Sequence, residues 1–298
     1  MLAVTLFRKA INLSNALWLT LMYSKNQLLV GKLPPLTDSL FVAFRQDVIS
    51  NNRLYQGTNL YSTFIETSQE YFLSSKINSL SGLNSMAATD IILGCHHFID
   101  NLISKHGLDN LQIFEHDYKY YGRLNPTITY AKVGELIPEK PVLIAAPFPG
   151  ALGLHSSWSE ILDECDQKKI PVHIDAAWLG SAKDIHLDLT RSCIQSIGIS
   201  LSKGLGLGWN RIGVRWSKTQ DPTDSITIMN KFNMLPDVVV RIGISALNTV
   251  PVDYLWNKYE KQYQQICREL FLRPTNIVHA AFSIDRKVLY GLHDCFIQ

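Results

Sequence analysis

The residue with the clearest chemical potential in this sequence is Lys203. A short apolar run over residues 196–200 predicts a buried strand. Leu201 and Ser202 connect this strand to Lys203. A lysine at the end of such a strand is costly to bury unless it is paired with an anion, kept neutral or used covalently. Lys203 is therefore a candidate for covalent catalysis, and the alternative is a surface lysine in the glycine-rich loop that follows.

A carboxylate occupies a similar place after another apolar run. The run over residues 172–174 leads directly into Asp175-Ala176-Ala177-Trp178, so that Asp175 stands where a buried strand meets a cleft. A carboxylate at that position could interact electrostatically with a bound ligand. The alternative is an ordinary helix N-cap.

Several other kinds of site are excluded by spacing. Gly204, Gly206 and Gly208 follow the lysine instead of linking a first strand to a helix, which excludes a dinucleotide fingerprint and a phosphate-binding P-loop. The chain has no G-x-S-x-G elbow. The adjacent His96 and His97 would diverge on a helix, so we predict no metal site.

The elements that must position these groups alternate between short apolar strands and helices. That alternation predicts an α/β fold with a mostly parallel sheet and flanking helices, in which ligands bind beyond the carboxyl ends of the strands. The predicted helices cover residues 41–49, 61–73, 98–105, 157–167 and 252–270. The predicted strands cover residues 111–114, 142–146, 172–175, 196–200 and 211–216, and a further short stretch of unassigned type covers residues 288–292.

Composition limits the class of protein. The 298 residues are 46% hydrophobic and 18% charged, which predicts a globular chain and excludes a disordered one or a coiled coil. A formal net charge of +2 provides no field for nucleic acid or an anionic membrane. The apolar stretch over residues 16–23 is far shorter than the roughly 20 residues of a membrane span and predicts a buried helix. We therefore expect a soluble protein.

The five cysteines indicate a reducing compartment. They are widely and irregularly spaced, and an odd number without a CxxC pair favours free thiols over a disulfide framework. We expect the protein to be cytoplasmic. The cysteines are Cys95, Cys165, Cys193, Cys267 and Cys295.

The order and spacing of these motifs resemble those of fold-type I enzymes that use pyridoxal 5′-phosphate (PLP), and most closely the class I/II aminotransferases. Residues 88–250 show the resemblance, in His173-Ile-Asp-Ala-Ala-Trp178, Ser200-Leu-Ser-Lys203 and Arg211-Ile-Gly213, with Arg211 eight residues after the lysine. The resemblance implies a PLP-dependent transferase whose Lys203 forms a Schiff base with the cofactor. Lysine suits this role because it offers a primary amine on a flexible stem.

The resemblance also implies roles for other residues. Asp175 would keep the pyridine nitrogen protonated, Ala177 would lie against one face of the ring, and Tyr118 would stack on the other, with Tyr120 and Tyr121 as competitors. The phosphate needs hydroxyls, a guanidinium group and a helix N-terminus. The residues implied for it are Ser200, Ser202, Arg211 and the turn Gly94-Cys95-His96.

Two departures leave the reaction type open. The family places an Asn in a turn that here reads Ala146-Pro-Phe-Pro-Gly-Ala-Leu-Gly153, and a Tyr where this chain has Trp178. Only 95 residues follow Lys203, so we expect an abbreviated small domain. Four arginines could bind an anion, and none is assigned: Arg241, Arg268, Arg273 and Arg286.

The resemblance suggests three segments. Residues 1–80 would be a helical segment of the small domain or a dimer arm, residues 81–250 the PLP-binding large domain, and residues 251–298 the abbreviated small-domain segment. The leading hypothesis is an aminotransferase acting on an amino acid or amine, as a homodimer. The alternatives are a PLP-dependent lyase, decarboxylase or cyclase, or a PLP-fold binding protein without catalysis.

Overall fold

The computed structural model describes residues 28–296 except Lys32 and Asn52. The helix predicted over residues 16–23 lies outside the described residues. The helices are α1 (Ser39–Asn51), α2 (Leu60–Leu73), α3 (Cys95–His106), α4 (Tyr120–Leu124), α5 (Trp158–Lys168), α6 (Leu201–Gly204), α7 (Ser225–Lys231), α8 (Asp237–Thr249) and α9 (Tyr254–Glu269). The strands are β1 (Leu29–Val30), β2 (Ser79–Ser81), β3 (Ala88–Ile92), β4 (Val142–Ala145), β5 (Val172–Asp175), β6 (His186–Asp188), β7 (Ile194–Ser200), β8 (Gly213–Ser217), β9 (Leu272–Pro274), β10 (Ala280–Ser283) and β11 (Leu289–Gly291).

The central sheet has five strands in the order β3-β8-β7-β5-β4. Strands β4, β5 and β7 are parallel, whereas β8 runs antiparallel to both of its neighbours. The α/β class and the mostly parallel sheet are thus confirmed, with β8 as the antiparallel exception. Strand β8 reverses because it returns from the loop after Lys203, so its first residue lies beside the last residue of β7.

The parallel strands are buried on both faces. All four residues of β4 are buried, and six of the seven residues of β7 are, including the fully buried Ile197 and Ile199. Strands covered on both faces appear in sequence as continuous apolar runs, which is why they could be predicted. Each fully buried Ile contributes about 1.5–3 kcal/mol to the free energy of unfolding. The strand ends are therefore held rigidly where the polar residues begin.

One predicted strand is wrong. Residues 111–114 form only isolated bridges, from Gln112 to Val142 and from Phe114 to Ala131. The Gln112 side chain donates to the carbonyl groups of Ile137 and Lys140 and accepts the Ile137 N–H, so it serves the following loop. The other predicted helices and strands within the described residues are confirmed, with ends that differ by a few residues.

A second, antiparallel sheet joins the two ends of the described chain. Its order is β1-β11-β10-β9, and β1 pairs with β11 from the far end of the sequence. Helix α9 packs beside this sheet, and its buried Tyr263 donates a hydrogen bond of 2.7 Å to the Ala280 carbonyl. Because β1 pairs with β11, Leu33 lies close to the carboxyl ends of the central strands β4, β5 and β7. The division into three segments stays a prediction.

Among the described residues, no single helix is long and apolar enough to cross a membrane. Helices α8 and α9 reach that length and composition only together, across a bend of 61°.

Candidate active site

A cavity of about 210 Å³ opens at the carboxyl ends of β4, β5 and β7. Ala145, Asp175 and Ser200, the last residues of these three strands, all line it. The expectation that polar residues gather at this edge is confirmed. Nine of the predicted site residues line the cavity: Cys95, His96, Tyr118, Asp175, Ala177, Ser200, Ser202, Lys203 and Arg211.

Lys203 is held by the short helix α6. Ser200 caps this helix by accepting the Ser202 N–H at 3.2 Å. Gly204 packs against Gly180 so closely that a Cβ at Gly204 would lie 2.5 Å from the Gly180 Cα. This contact sets α6 beside the turn that follows β5, and the Lys203 Nζ lies 4.6 Å from the centroid of the Trp178 ring.

The surroundings of Lys203 favour its neutral amine. Burial and the charge of Arg211 lower the pKa of Lys203, while Asp175 acts in the opposite direction. The neutral amine is the nucleophilic form. The sequence-based expectation of a partly buried lysine among polar groups therefore fits the structure.

Asp175 ends β5 and is 5% exposed. Its Oδ1 accepts the Ala177 N–H at 3.0 Å, which is a short local turn and not the N-cap of a long helix. Burial raises the pKa of Asp175, and the Cys95 thiol, the Ala177 N–H and the Lys203 charge oppose that rise. A cationic ligand group beside this carboxyl group would lower its raised pKa.

The start of α3 forms a cradle with the predicted phosphate-binding residues. Gly94 precedes the helix with φ of +74°, and a Cβ there would lie 3.0 Å from Arg211 Nη2 and 3.4 Å from Ser200 Oγ. Arg211 Nη1 also lies 3.4 Å from Ser202 Oγ. A guanidinium group, two hydroxyls and free helical N–H groups thus converge, and this set of donors fits an oxyanion.

His96 links this cradle to Tyr118. Its Nδ1 lies 3.2 Å from Arg211 Nη2, and its Nε2 lies 2.9 Å from the Tyr118 hydroxyl. Burial and Arg211 lower the pKa of His96, so the ring is neutral, accepts from Arg211 and donates to Tyr118. Of the three competing tyrosines only Tyr118 lines the cavity, because Tyr120 donates to Asp100 and Tyr121 is buried below.

Sequence reasoning missed several residues of the site. Leu33 and Ile99 line the cavity without belonging to any motif. Asp117 belongs to none of these motifs either, yet it is 5% exposed and accepts the Ala145 N–H at the end of β4. A lone acidic residue beside three tyrosines gives no sequence signal of burial.

The two adjacent histidines diverge, as the helical spacing predicts. His97 turns back and accepts the Leu93 N–H through Nδ1, away from the contacts of His96. Within residues 28–296, apart from the two omitted positions, no three His, Cys, Asp or Glu side chains come together to hold a metal ion.

Comparison with known proteins identifies the fold. No family model and no curated protein matches the chain. Among solved structures, it is similar to tyrosine aminotransferase from Leishmania infantum, at 12% identity over 89% of this chain and 87% of the other, with a TM-score of 0.59. An aminotransferase from Mycobacterium tuberculosis is 14% identical over 92% and 79% of the two chains, with a TM-score of 0.57.

A PLP-bound protein from Clostridium difficile 630 is 11% identical over 89% and 79% of the two chains, with a TM-score of 0.56. At these identities the similarity establishes the architecture. The chain has the fold of the PLP-dependent aminotransferases of fold-type I.

Proposed function

We propose that this protein is a PLP-dependent aminotransferase that acts on an amino acid or amine through Lys203. One observation carries the proposal: the lysine after β7, the buried carboxylate at the end of β5, and the anion cradle of the β7 end, Arg211 and the start of α3 line a single cavity. Each could occur alone for structural reasons. Their convergence at the ligand-binding edge of an aminotransferase-like fold supports the function.

The residues present fit PLP. The cradle of Ser200, Ser202, Arg211 and the start of α3 would hold the phosphate, and Asp175 would face the ring nitrogen. Ala177 and Tyr118 line the cavity at positions suited to the two faces of the ring. When bound, PLP supplies an aldehyde that captures amines and a ring that withdraws electrons from the amino-acid Cα.

The chain's own residues would then hold and move protons. Lys203 Nζ, whose pKa is lowered by burial, would attack as a free amine and later carry a proton from and back to the substrate Cα region. Asp175, kept anionic, would hold the proton on the ring nitrogen. The Trp178 ring lies 4.6 Å from Lys203 Nζ and therefore limits where the lysine amine can move. The Trp178 indole can donate a hydrogen bond but cannot accept one from the lysine amine.

A second cavity of about 720 Å³ adjoins the first and suits an anionic substrate. The two cavities have five lining residues in common, among them Tyr118 and Trp178. Arg123 and Arg286 line the second cavity from sequence-distant segments, and neither has an ion-pair partner within the described part of the chain. Arg241, by contrast, is used structurally, because it donates to the carbonyl groups of Tyr55 and Gly57.

Replacing Arg286 by Gln is expected to raise the KM for an acidic amino acid by about 10-fold, because a charge-assisted contact is worth about 1.5–3 kcal/mol in the protein and less at an exposed site. The kcat should change little. Arg273→Gln is the matched control, since Arg273 is exposed on the neighbouring strand β9 and does not line the cavity. Equal effects of both substitutions on steady-state kinetics would contradict a specific role for Arg286.

Replacing Gly94 by Ala is expected to weaken PLP binding at least ~10-fold, or about 1.4 kcal/mol, because the added Cβ meets Arg211 Nη2 at 3.0 Å. Gly134→Ala is the control, since Gly134 also has a positive φ but has nothing within 4 Å of its Cβ position. Both variants should lose about 1–2 kcal/mol of unfolding free energy from backbone strain. Equal PLP affinities of the two variants, measured by titration, would show that the cradle does not bind the phosphate.

We further propose that the protein is a homodimer whose interface includes an exposed apolar patch. The patch consists of Trp209, Phe232, Met234 and Val238, whose exposed fractions range from 40% to 65%. It is continuous with the Lys203 loop, because Asn210 donates to the Val239 carbonyl. Apolar patches of this kind mark association surfaces, and a second copy presents the same patch in a twofold arrangement.

Substituting both Phe232 and Met234 by Asp is expected to convert a dimer to a monomer in sedimentation velocity, since two charges would be buried in the interface. Phe271→Asp is the control, because Phe271 is similarly exposed, at 59%, but lies after α9. A wild-type protein that sediments as a monomer at full PLP occupancy would refute the dimer.

We also propose a reducing, cytoplasmic environment. The proposal is supported by four cysteines that are buried free thiols: Cys95, Cys165, Cys193 and Cys267.

The aminotransferase proposal is tested by adding PLP to the purified protein and then supplying a panel of amino acids with a keto acid. Amino transfer that produces the new amino acid is the expected result. Release of CO₂ without amino transfer would favour the decarboxylase alternative. Visible absorbance of bound PLP without any conversion across the panel would favour a binding protein.

A further inference from the structure

Asp117 is a buried acidic residue with no role in the function proposed above. It is 5% exposed and lies directly before Tyr118. Its Oδ1 accepts the Tyr118 N–H at 2.6 Å, and its Oδ2 accepts the Ala145 N–H at 3.2 Å. The carboxyl group therefore ties the main chain of the predicted stacking tyrosine to the end of β4.

This position brings Asp117 beside Asp175. Ala145 is paired with Asp175 in the register of β4 and β5, and the Ala146 N–H donates to the Asp175 carbonyl. The Asp175 carboxyl group therefore lines the cavity at the end of β5, while the Asp117 carboxyl group binds the end of the neighbouring strand β4. Tyr121, fully buried against them, has a hydroxyl without a hydrogen-bond partner among the described residues.

Two buried carboxyl groups that interact electrostatically do not both ionise readily, so one proton stays with the pair. The charged and titratable groups around the pair differ for its two members. Lys203 and the Cys95 thiol face Asp175, with Arg211 and His96 beyond them. Among the described residues, Asp117 accepts two main-chain N–H groups and lies near the Tyr121 phenol and the Asp175 charge, so it is the weaker acid.

We propose that Asp117 is a positioning residue of the cofactor site, which holds Tyr118 in place and keeps the proton of the carboxyl pair so that Asp175 remains the anion. The inference rests on the proposed function, because it concerns the residues expected to contact the PLP ring. Burial, with a smaller contribution from the Asp175 charge, raises the pKa of Asp117 to about 7, which agrees with this assignment.

The test compares the wild type with Asp117→Asn, first without PLP. A carboxyl group with a raised pKa in the folded state binds its proton more tightly there, so folding loses stability as the pH rises from 3.8 to about 7. Within that range the unfolding constant of the wild type should grow about 10-fold per pH unit relative to that of the variant. A loss of stability that the substitution causes equally at every pH would not change this slope. Asp188→Asn is the control, because Thr190 lowers the pKa of Asp188 below 3.8. This carboxyl group is ionised in both the folded and the unfolded state between pH 4 and 7, so its wild-type-to-variant ratio of unfolding constants should not change with pH there.

The second readout is the pH midpoint of the visible absorbance of bound PLP, which should keep the wild-type value in Asp117→Asn, because Asn is neutral like the protonated carboxyl group that it replaces. Asp117→Ser serves if the Asn variant does not fold. If the ratio of the wild-type unfolding constant to that of Asp117→Asn does not change between pH 4 and 7, the proposal is wrong. A midpoint that shifts to lower pH in Asp117→Asn would also overturn it, because Asp117 would then carry the negative charge that the proposal assigns to Asp175. If neither the wild type nor the variants bind PLP, but the ratio of unfolding constants still changes with pH, the proposed function is wrong. The shared proton of Asp117 and Asp175 would then still be supported.

Discussion

Replacing Lys203 by Ala is expected to abolish the visible absorbance of bound PLP and to lower turnover at least ~10³-fold. The amine is the only lysine nitrogen that lines the cavity between the cradle and Asp175, within the part of the chain that the structure describes. Without it, neither the covalent attachment of the cofactor nor the proton transfer near the substrate Cα has a donor. The absorbance spectrum after PLP addition, followed by an amino-transfer assay, checks both effects.

Two further variants separate chemistry from packing. Lys203→Arg keeps a long basic side chain near Trp178 but offers no primary amine, so it should also lack the absorbance. Lys183→Ala is the matched control, because the Lys183 Nζ lies 4.4 Å from the Trp256 ring, a contact similar to that of Lys203, but lies outside the cavity. Retention of the absorbance in Lys203→Ala would remove the basis of the proposed function.

The central part of the fold was predictable because its strands are marked by short, continuous patterns in the sequence. Strands β5 and β7 are apolar on both faces, and each ends in the polar residues that line the cavity. Since carboxyl ends of parallel strands meet at one edge, Asp175 and Lys203 could be placed together without knowing the strand order. The antiparallel direction of β8 was not predictable, because the sequence of a strand does not encode its direction.

The remainder depends on distant contacts. Strand β1 is two residues long and gains its partner, β11, from the other end of the chain, so no local pattern could place Leu33 in the site. Residues 111–114 are apolar enough for a strand, yet the Gln112 side chain binds the following loop instead. Asp117 resembles a surface acid in sequence, and only its two main-chain donors reveal its burial.

Replacing Asp175 by Asn is expected to separate PLP binding from catalysis. The Asn Oδ1 can still accept the Ala177 N–H that Asp175 accepts at 3.0 Å, so the turn and the cavity should keep their shape. The negative charge that would hold a proton on the ring nitrogen is lost, however. We expect PLP to bind with a near-normal affinity, while turnover falls about 10²–10³-fold, the usual cost of removing one electrostatic stabiliser from an active site.

Asp188→Asn is the matched control for this substitution, because Asp188 also ends a strand, β6, but is exposed and bonded to Thr190. Its kinetics should equal those of the wild type. The effect of Asp175→Asn should persist at every pH at which Asp175 of the wild type is ionised. It should diminish as the pH falls through the raised pKa of Asp175, because the wild type then loses the same charge. Turnover at the wild-type level in Asp175→Asn at neutral pH would show that this buried carboxylate does not act on the cofactor ring.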